Sequence, residues 1–122
     1  MTKEEALNIA SICGVLVNSK QLSFGVIRIL NKNAKIANEI SAEIKEIYEL
    51  AKGKELSKEL TEEEVQRCLK EEFKGEFVNL KSSFLFETKS EVLDFKGVTL
   101  GDKPFDVRTA LEVLDAQNLI ED

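Results

Sequence analysis

The side chains able to do chemistry in this chain are carboxylates, two thiols and one phenol. Glu39, Glu43 and Glu46 recur at helical spacing, and Glu62, Glu63 and Glu64 form a run. A pair of acids is the minimum equipment for glycoside hydrolysis, so residue type alone leaves that chemistry open. The surroundings of these acids point elsewhere. Residues 62–64 follow Thr61 and suit the first turn of a helix, where the positive end of the dipole favours acids. Glu39, Glu43 and Glu46 fall on a helix flank, where a solvated face is expected. Tyr48 is the only tyrosine, and its place on an apolar seam points to core packing. The chain has no histidine, which removes the commonest general base and metal ligand near neutral pH. Cys13 and Cys68 lie too far apart for a zinc pattern. Each sits in an apolar helical pattern, beside Ile12 and Leu69, so both are expected to be buried free thiols. No phosphate-binding glycine loop or calcium-loop spacing occurs. The expectation is a non-enzymatic protein with no catalytic, cofactor-binding or metal-binding residues.

Composition sets the remaining bounds. With 122 residues the chain is expected to form one domain, large enough to bury a core without metals or disulfides. Charged residues make up 33 % and the formal net charge is −6. An acidic chain makes direct nucleic-acid binding an unlooked-for property, because a phosphate binder needs concentrated Lys and Arg. A protein partner, with a second copy of this chain among the candidates, fits better. The first residues carry Glu4 and Glu5, not a positive excess, and their apolar run is too short to span a bilayer. Sparse cysteine suits a reducing compartment, so the cytoplasm is expected, and no membrane association.

These residues must be positioned by helices. Thr2 and Glu5 form a capping-box pair that opens a first helix over about 3–18. Gly14 within it marks a close helix crossing or a kink. The longest periodic stretch is LSFGVIRILNKNAKIANEISAEIKEIYELA, in which Ile27, Leu30, Ala34, Ala37, Ser41, Ile44, Tyr48 and Ala51 share one face. It predicts a single helix over about 23–52, capped by Ser23, stapled by Leu22 and Ile27, and ended by a left-handed Gly53. The small residues Ala34, Ala37 and Ser41 mark where another helix passes closest. Thr61 caps a helix over about 62–81, with Leu60 and Val65 as its staple and Val65, Leu69, Phe73, Phe77 and Leu80 as its apolar face.

A short link between these two helices predicts an antiparallel hairpin. With the turn near Leu56, the numbers of facing residues total about 112. That register places Glu46 by Arg67, Glu43 by Lys70 and Lys35 by Glu76. From Ser82 the period fits either an extension of the 62–81 helix through Phe84 or a strand; alternation favours strands at about 84–88 and 91–100, the second slipping phase at Gly97. Pro104 suits the first position of a last helix over about 104–117, with Asp106 in its acidic first turn. Asn118 ends it and leaves Leu119 and Ile120 to dock or dangle. The expected fold class is α+β, predominantly α: a helical hairpin with an N-terminal helix, a small C-terminal β element and a short last helix.

From Leu22 to Asp122 the order of segments resembles small uncharacterised helical proteins of bacteriophages and prophages, mostly of Gram-positive hosts. The segments that carry it are LSFGVIRILNKNAKIANEI opening a long helix, the Glu-rich LTEEEVQRCLKEEF, the acidic-apolar EVLDFKGVTL and the terminal NLIED. Residues 53–60 are shorter, and residues 75–90 longer and more aromatic, than that pattern. The resemblance implies a phage-encoded accessory or structural protein that acts through contacts, and it transfers no catalytic residue. Two functions are carried forward: an interaction or assembly module, and an acidic inhibitor of a host nucleic-acid enzyme or defence system.

Overall fold

Two helices in series form a column against which the rest of the chain packs. The computed structural model describes residues 1–18, 22–89, 99–100, 103–104 and 107–121. Its elements in order are α1 (Lys3–Leu16), α2 (Phe24–Ala34), α3 (Ile36–Gly53), α4 (Lys58–Lys70), β1 (Leu80–Lys81), α5 (Ser83–Lys89), β2 (Thr99–Leu100), β3 (Lys103–Pro104), α6 (Val107–Ala116) and β4 (Ile120–Glu121). The fold is α+β and predominantly helical. β1 pairs in parallel with β4, and β2 pairs antiparallel with β3.

The capping box forms as the sequence predicts. Glu5 N–H donates to Thr2 Oγ1 at 3.2 Å, and Thr2 N–H donates to Glu5 Oε1 at 3.3 Å. Hydrogen bonds from the Thr2 backbone and hydroxyl hold the Glu5 carboxyl below its ordinary pKa of 4.5. A carboxyl with a depressed folded pKa stabilises the protein above its unfolded value and loses that contribution as pH falls. The stability gap between wild type and Glu5→Gln is therefore expected to be widest near neutrality. It should narrow as urea unfolding is repeated below pH 4.5; a gap independent of pH would contradict the box.

The column is α2 followed by α3. The sequence predicts one helix here, and the structure divides it at Lys35. That residue keeps right-handed dihedrals (φ −63°, ψ −21°), and Asn38 N–H bonds Lys35 O at 3.0 Å, one residue short of the α-helical partner. The helix tightens for one step and continues. At 1.5 Å per residue, Phe24 to Gly53 runs about 45 Å.

α1 and α4 lie end to end along this column. α1 runs antiparallel to it, with Ala6 and Ala10 against Ile36 and Ile40. A methyl placed on Gly14 would meet Ala34 Cβ at 3.8 Å, an ordinary contact distance, so α1 crosses the column there; Ala34 and Ala37 pack toward α1, while Ser41, predicted with them, is exposed. Beyond Glu43 the partner becomes α4. The N-terminus of α1 joins the C-terminus of α4 through an antiparallel bridge between Thr2 and Glu72. Lys3 N–H donates to Glu71 O at 2.8 Å, and Phe73 N–H to Met1 O at 2.9 Å. The main core lies at the other end, where Ile9, Ile12, Leu16, Leu30, Leu80, Phe84 and Leu114 pack between α1, α2, α5 and α6.

Both described helix ends of positive φ are closed by the same motif. Leu56 N–H bonds Ala51 O and Glu55 N–H bonds Lys52 O after α3; Leu119 N–H bonds Leu114 O and Asn118 N–H bonds Asp115 O after α6. These are Schellman closures, and they put Glu55 (φ 53°) and Asn118 (φ 58°) in the left-handed region. Gly53 stays inside the helix. Leu119 is buried and hands the chain to β4, so the terminal apolar pair docks.

Other boundaries shift for local reasons. α4 starts one turn before Thr61, because Ser57 caps it: Leu60 N–H donates to Ser57 Oγ at 3.3 Å. Thr61 is buried inside the helix, its hydroxyl donating to Ser57 O. α4 stops at Lys70, short of the expected 81, because Glu71 and Phe73 spend their backbone groups on the N-terminal segment. Phe73 and Phe77 pack on each other and on the Ala6–Ile40 cluster from an irregular segment. Residues 83–89 are helical where alternation predicts a strand. The second predicted strand lies mostly outside the described residues; Thr99 and Leu100 within it pair with Lys103 and Pro104. Pro104 is thus in a strand, and the last helix begins at Val107.

Candidate functional site

Sequence reasoning nominates no site residue, so the candidates come from what the fold brings together. The first is a charged node where α1, α3 and α4 meet. Lys3 Nζ reaches carboxylates of both Glu43 and Glu71, the latter at 2.9 Å. Its side chain is only 15 % exposed, so these are its principal partners. The Glu43 and Glu71 hydrogen bonds hold the ammonium above lysine's ordinary 10.5. A raised lysine contributes stability at all pH below 10.5 and loses it only as pH rises through the shifted value.

Cys68 lies against the same node, its Sγ 3.8 Å from Glu43 Oε2. Glu43, Cys68 and Glu71 bring ligand atoms within 4.8 Å of one another. Two carboxylates and a thiol could hold a divalent metal, but the Lys3 ammonium already supplies their cation. Beside the node a pocket of about 430 Å³ opens, lined by Glu39, Ile40, Glu71, Glu72, Phe73 and Lys74. Lys3, Glu43 and Glu71 are 40 and 68 residues apart, so local spacing held no signal for them.

The second candidate is the distal half of the α3–α4 hairpin, a two-helix arm. Glu43 faces Cys68, and Tyr48 Oη donates to Glu62 Oε1 at 3.0 Å. These pairs lie within two residues of the predicted register. The predicted ion pairs do not form: Glu43 takes Lys3, Arg67 takes Glu64 at 2.8 Å, and Glu46, Lys35, Lys70 and Glu76 make no ion pair among the described residues. Ala51, Thr61, Val65 and Cys68 are buried along the seam. Two helices alone cannot enclose their apolar side chains, and the arm shows it: Tyr48 is 43 % exposed, Leu50 57 %, Leu56 42 % and Leu60 48 %. Tyr48, expected in the core, is thus a surface residue, with the Glu62 carboxylate holding its phenol above the ordinary value of 10.0.

Helix geometry sorts the arm into two flanks. At 3.6 residues per turn, Tyr48 and Leu50 fall on opposite sides of the Ile47–Ala51 seam, and Glu62 and Leu60 on opposite sides of the Thr61–Val65 seam. The Tyr48–Glu62 hydrogen bond shows which sides coincide. Leu50 and Leu60 therefore share the other flank. Glu39, Glu43 and Glu46 of α3, and Glu64 of α4, point the same way, as does Glu71 just beyond α4.

The thiols are as the sequence predicts: free and buried. Burial pushes the Cys13 thiol up to about 12 and raises Cys68 as well. A thiol that resists ionisation is a poor nucleophile. A disulfide-exchange reagent at neutral pH is expected to titrate neither cysteine in the native protein and both after denaturation. Rapid native labelling of either would contradict the burial. Among the described residues, no helix is long and apolar enough to cross a membrane. Compared with protein-family models, curated proteins and solved structures, the chain finds no match in any of the three.

Proposed function

We propose that this chain is a non-enzymatic protein-interaction or assembly module that works through its α3–α4 arm. One observation carries the reading: Tyr48, Leu50, Leu56 and Leu60, four of the exposed large apolar side chains, belong to one two-helix projection. Exposed apolar groups clustered on a rigid element are the usual mark of a contact surface. Of the four carboxylates lining the pocket beside the node, Glu43 and Glu71 are engaged by Lys3, which leaves those two poorly placed for acid–base work. Phage or prophage origin belongs to the same proposal and rests on the order of segments described above; genome neighbourhood tests it directly.

The experiment is selection from a displayed random-peptide library with wild type and with a Leu50→Ser/Leu60→Ser variant as baits. Wild type should enrich binders that the variant fails to hold while keeping the wild-type unfolding midpoint. No enrichment, or binders indifferent to the two substitutions, would overturn the reading. A second reading, an acidic inhibitor of a host nucleic-acid enzyme or defence system, is favoured by the carboxylates of the arm. It predicts binding to a basic nucleic-acid enzyme that fades steeply with added salt.

A further inference from the structure

Resting on that reading, we propose that the flank carrying Glu39, Glu43, Glu46, Glu64, Leu50 and Leu60 docks a basic amphipathic segment of a partner protein. The apolar end supplies two exposed leucines near the hairpin turn. Toward the base the surface becomes anionic. From Glu39 to Glu72 it carries six carboxylates, counting Glu71 and Glu72, against three cations, and two of those, Lys3 and Arg67, are bound to Glu43, Glu71 and Glu64. Glu39 and Glu46 are exposed and make no ion pair among the described residues.

The pocket lies at this anionic end. Ile40 and Phe73 line it along with four carboxylates, Glu39, Glu43, Glu71 and Glu72, and two cations, Lys74 and the already bound Lys3. An apolar wall under a carboxylate rim matches a lysine or arginine side chain, whose methylene stem packs while its charged head meets the acids. A segment lying along the flank would place apolar residues over Leu50 and Leu60 and a long cation at the pocket.

Charge decides between this occupant and a second copy of the chain. A two-fold contact buries the same patch from both copies, so pairing this flank with itself would gather Glu39, Glu46 and Glu64 of each copy into one interface. Like charges facing one another oppose association, and a basic partner removes that cost.

The probe is a labelled amphipathic Leu/Lys peptide, followed by fluorescence anisotropy, with an equally basic Ser/Lys peptide as its control. Leu/Lys should bind more tightly than Ser/Lys, and the difference should vanish in Leu50→Ser/Leu60→Ser. Glu39→Lys/Glu46→Lys should weaken Leu/Lys binding about tenfold or more. Glu49→Lys/Glu63→Lys makes the same change of net charge on the outward faces of the helices, and should weaken it less than about threefold. Circular dichroism confirms that each variant folds. Equal losses from the two charge reversals would reduce the effect to net charge and overturn the proposal, as would no preference for Leu/Lys. Sedimentation showing an oligomer that Leu50→Ser/Leu60→Ser disperses would assign the flank to a second copy, also overturning it. Library binders that need Leu50 and Leu60 but carry no basic residues would overturn the basic partner while leaving the interaction reading intact.

Discussion

Replacing Asn33 with alanine is expected to cost about 2 kcal/mol of folding stability, out of a total of about 5–15 for a domain of this size. Asn33 sits in α2 and is 1 % exposed. Its Nδ2 donates to Val78 O at 2.9 Å, and its Oδ1 accepts from Val78 N–H at 2.8 Å. The amide thus takes the place of a strand partner for one residue of the irregular segment between α4 and β1. It also lies beside the buried Cys13 thiol. Alanine would leave the donor and acceptor of Val78 without their partner and open space beside Cys13. Leaving a buried polar group unpaired costs about 1–3 kcal/mol, and the 41 % exposure of Val78 puts the loss below the top of that range. Urea unfolding would show a lower midpoint, and the Cys13 thiol would become easier to label. A midpoint within the error of wild type would mean that Asn33 does not fasten this segment.

Phe84→Ala is expected to be more damaging still, at about 3–5 kcal/mol. Phe84 is fully buried at the start of α5, in the cluster with Ile12, Leu16, Leu30, Leu80 and Leu114. Removing its ring leaves a cavity between α1, α5 and α6 that the surrounding helices cannot close. The matching control is Leu60→Ala on the arm, which should change stability by less than about 0.5 kcal/mol. Leu60 is nearly half exposed, and alanine is the better helix former. The contrast separates residues that hold the fold from residues that the fold displays. Comparable losses at the two positions would place Leu60 in the core and remove the basis for the arm as a contact surface.

Much of the local architecture was legible in the chain. Thr2 with Glu5 and Ser23 announced two helix starts, because capping needs only side chains within a few residues. Asn118 announced a helix end for the same reason. The hairpin register emerged to within two residues from the turn position alone, since two antiparallel helices leave little freedom once their link is short. Cys13 and Cys68 were placed as buried free thiols from their apolar neighbours. What misled was periodicity without tertiary partners. Phe73 and Phe77 keep helical spacing, yet the backbone at Glu71 and Phe73 is drawn off to pair with Lys3 and Met1. Phe84, Phe86 and Thr88 alternate with Leu85 and Glu87, yet residues 83–89 turn as a helix once Phe84 has a core to enter. Thr61 looked like a cap because Glu64 stands three residues on and Leu60 and Val65 frame it, but Ser57, one turn earlier, offers the same kind of hydroxyl and takes the role.

The candidate sites divide along the same line. Sequence alone determined the predominantly helical character, the hairpin, the acidic balance and the lack of any histidine-based chemistry. Each of these depends on composition or on neighbours within a turn or two. Only the tertiary structure decided that Lys3 would join Glu43 to Glu71, that Asn33 would clasp Val78, and that α1 and α4 would share one column end to end. It also decided that Tyr48, Leu50, Leu56 and Leu60 would remain exposed. An apolar stripe records that a face prefers burial. Whether a third element arrives to bury it depends on where α1 lies, and here α1 begins opposite Glu43, leaving the distal arm, among the described residues, two helices thick.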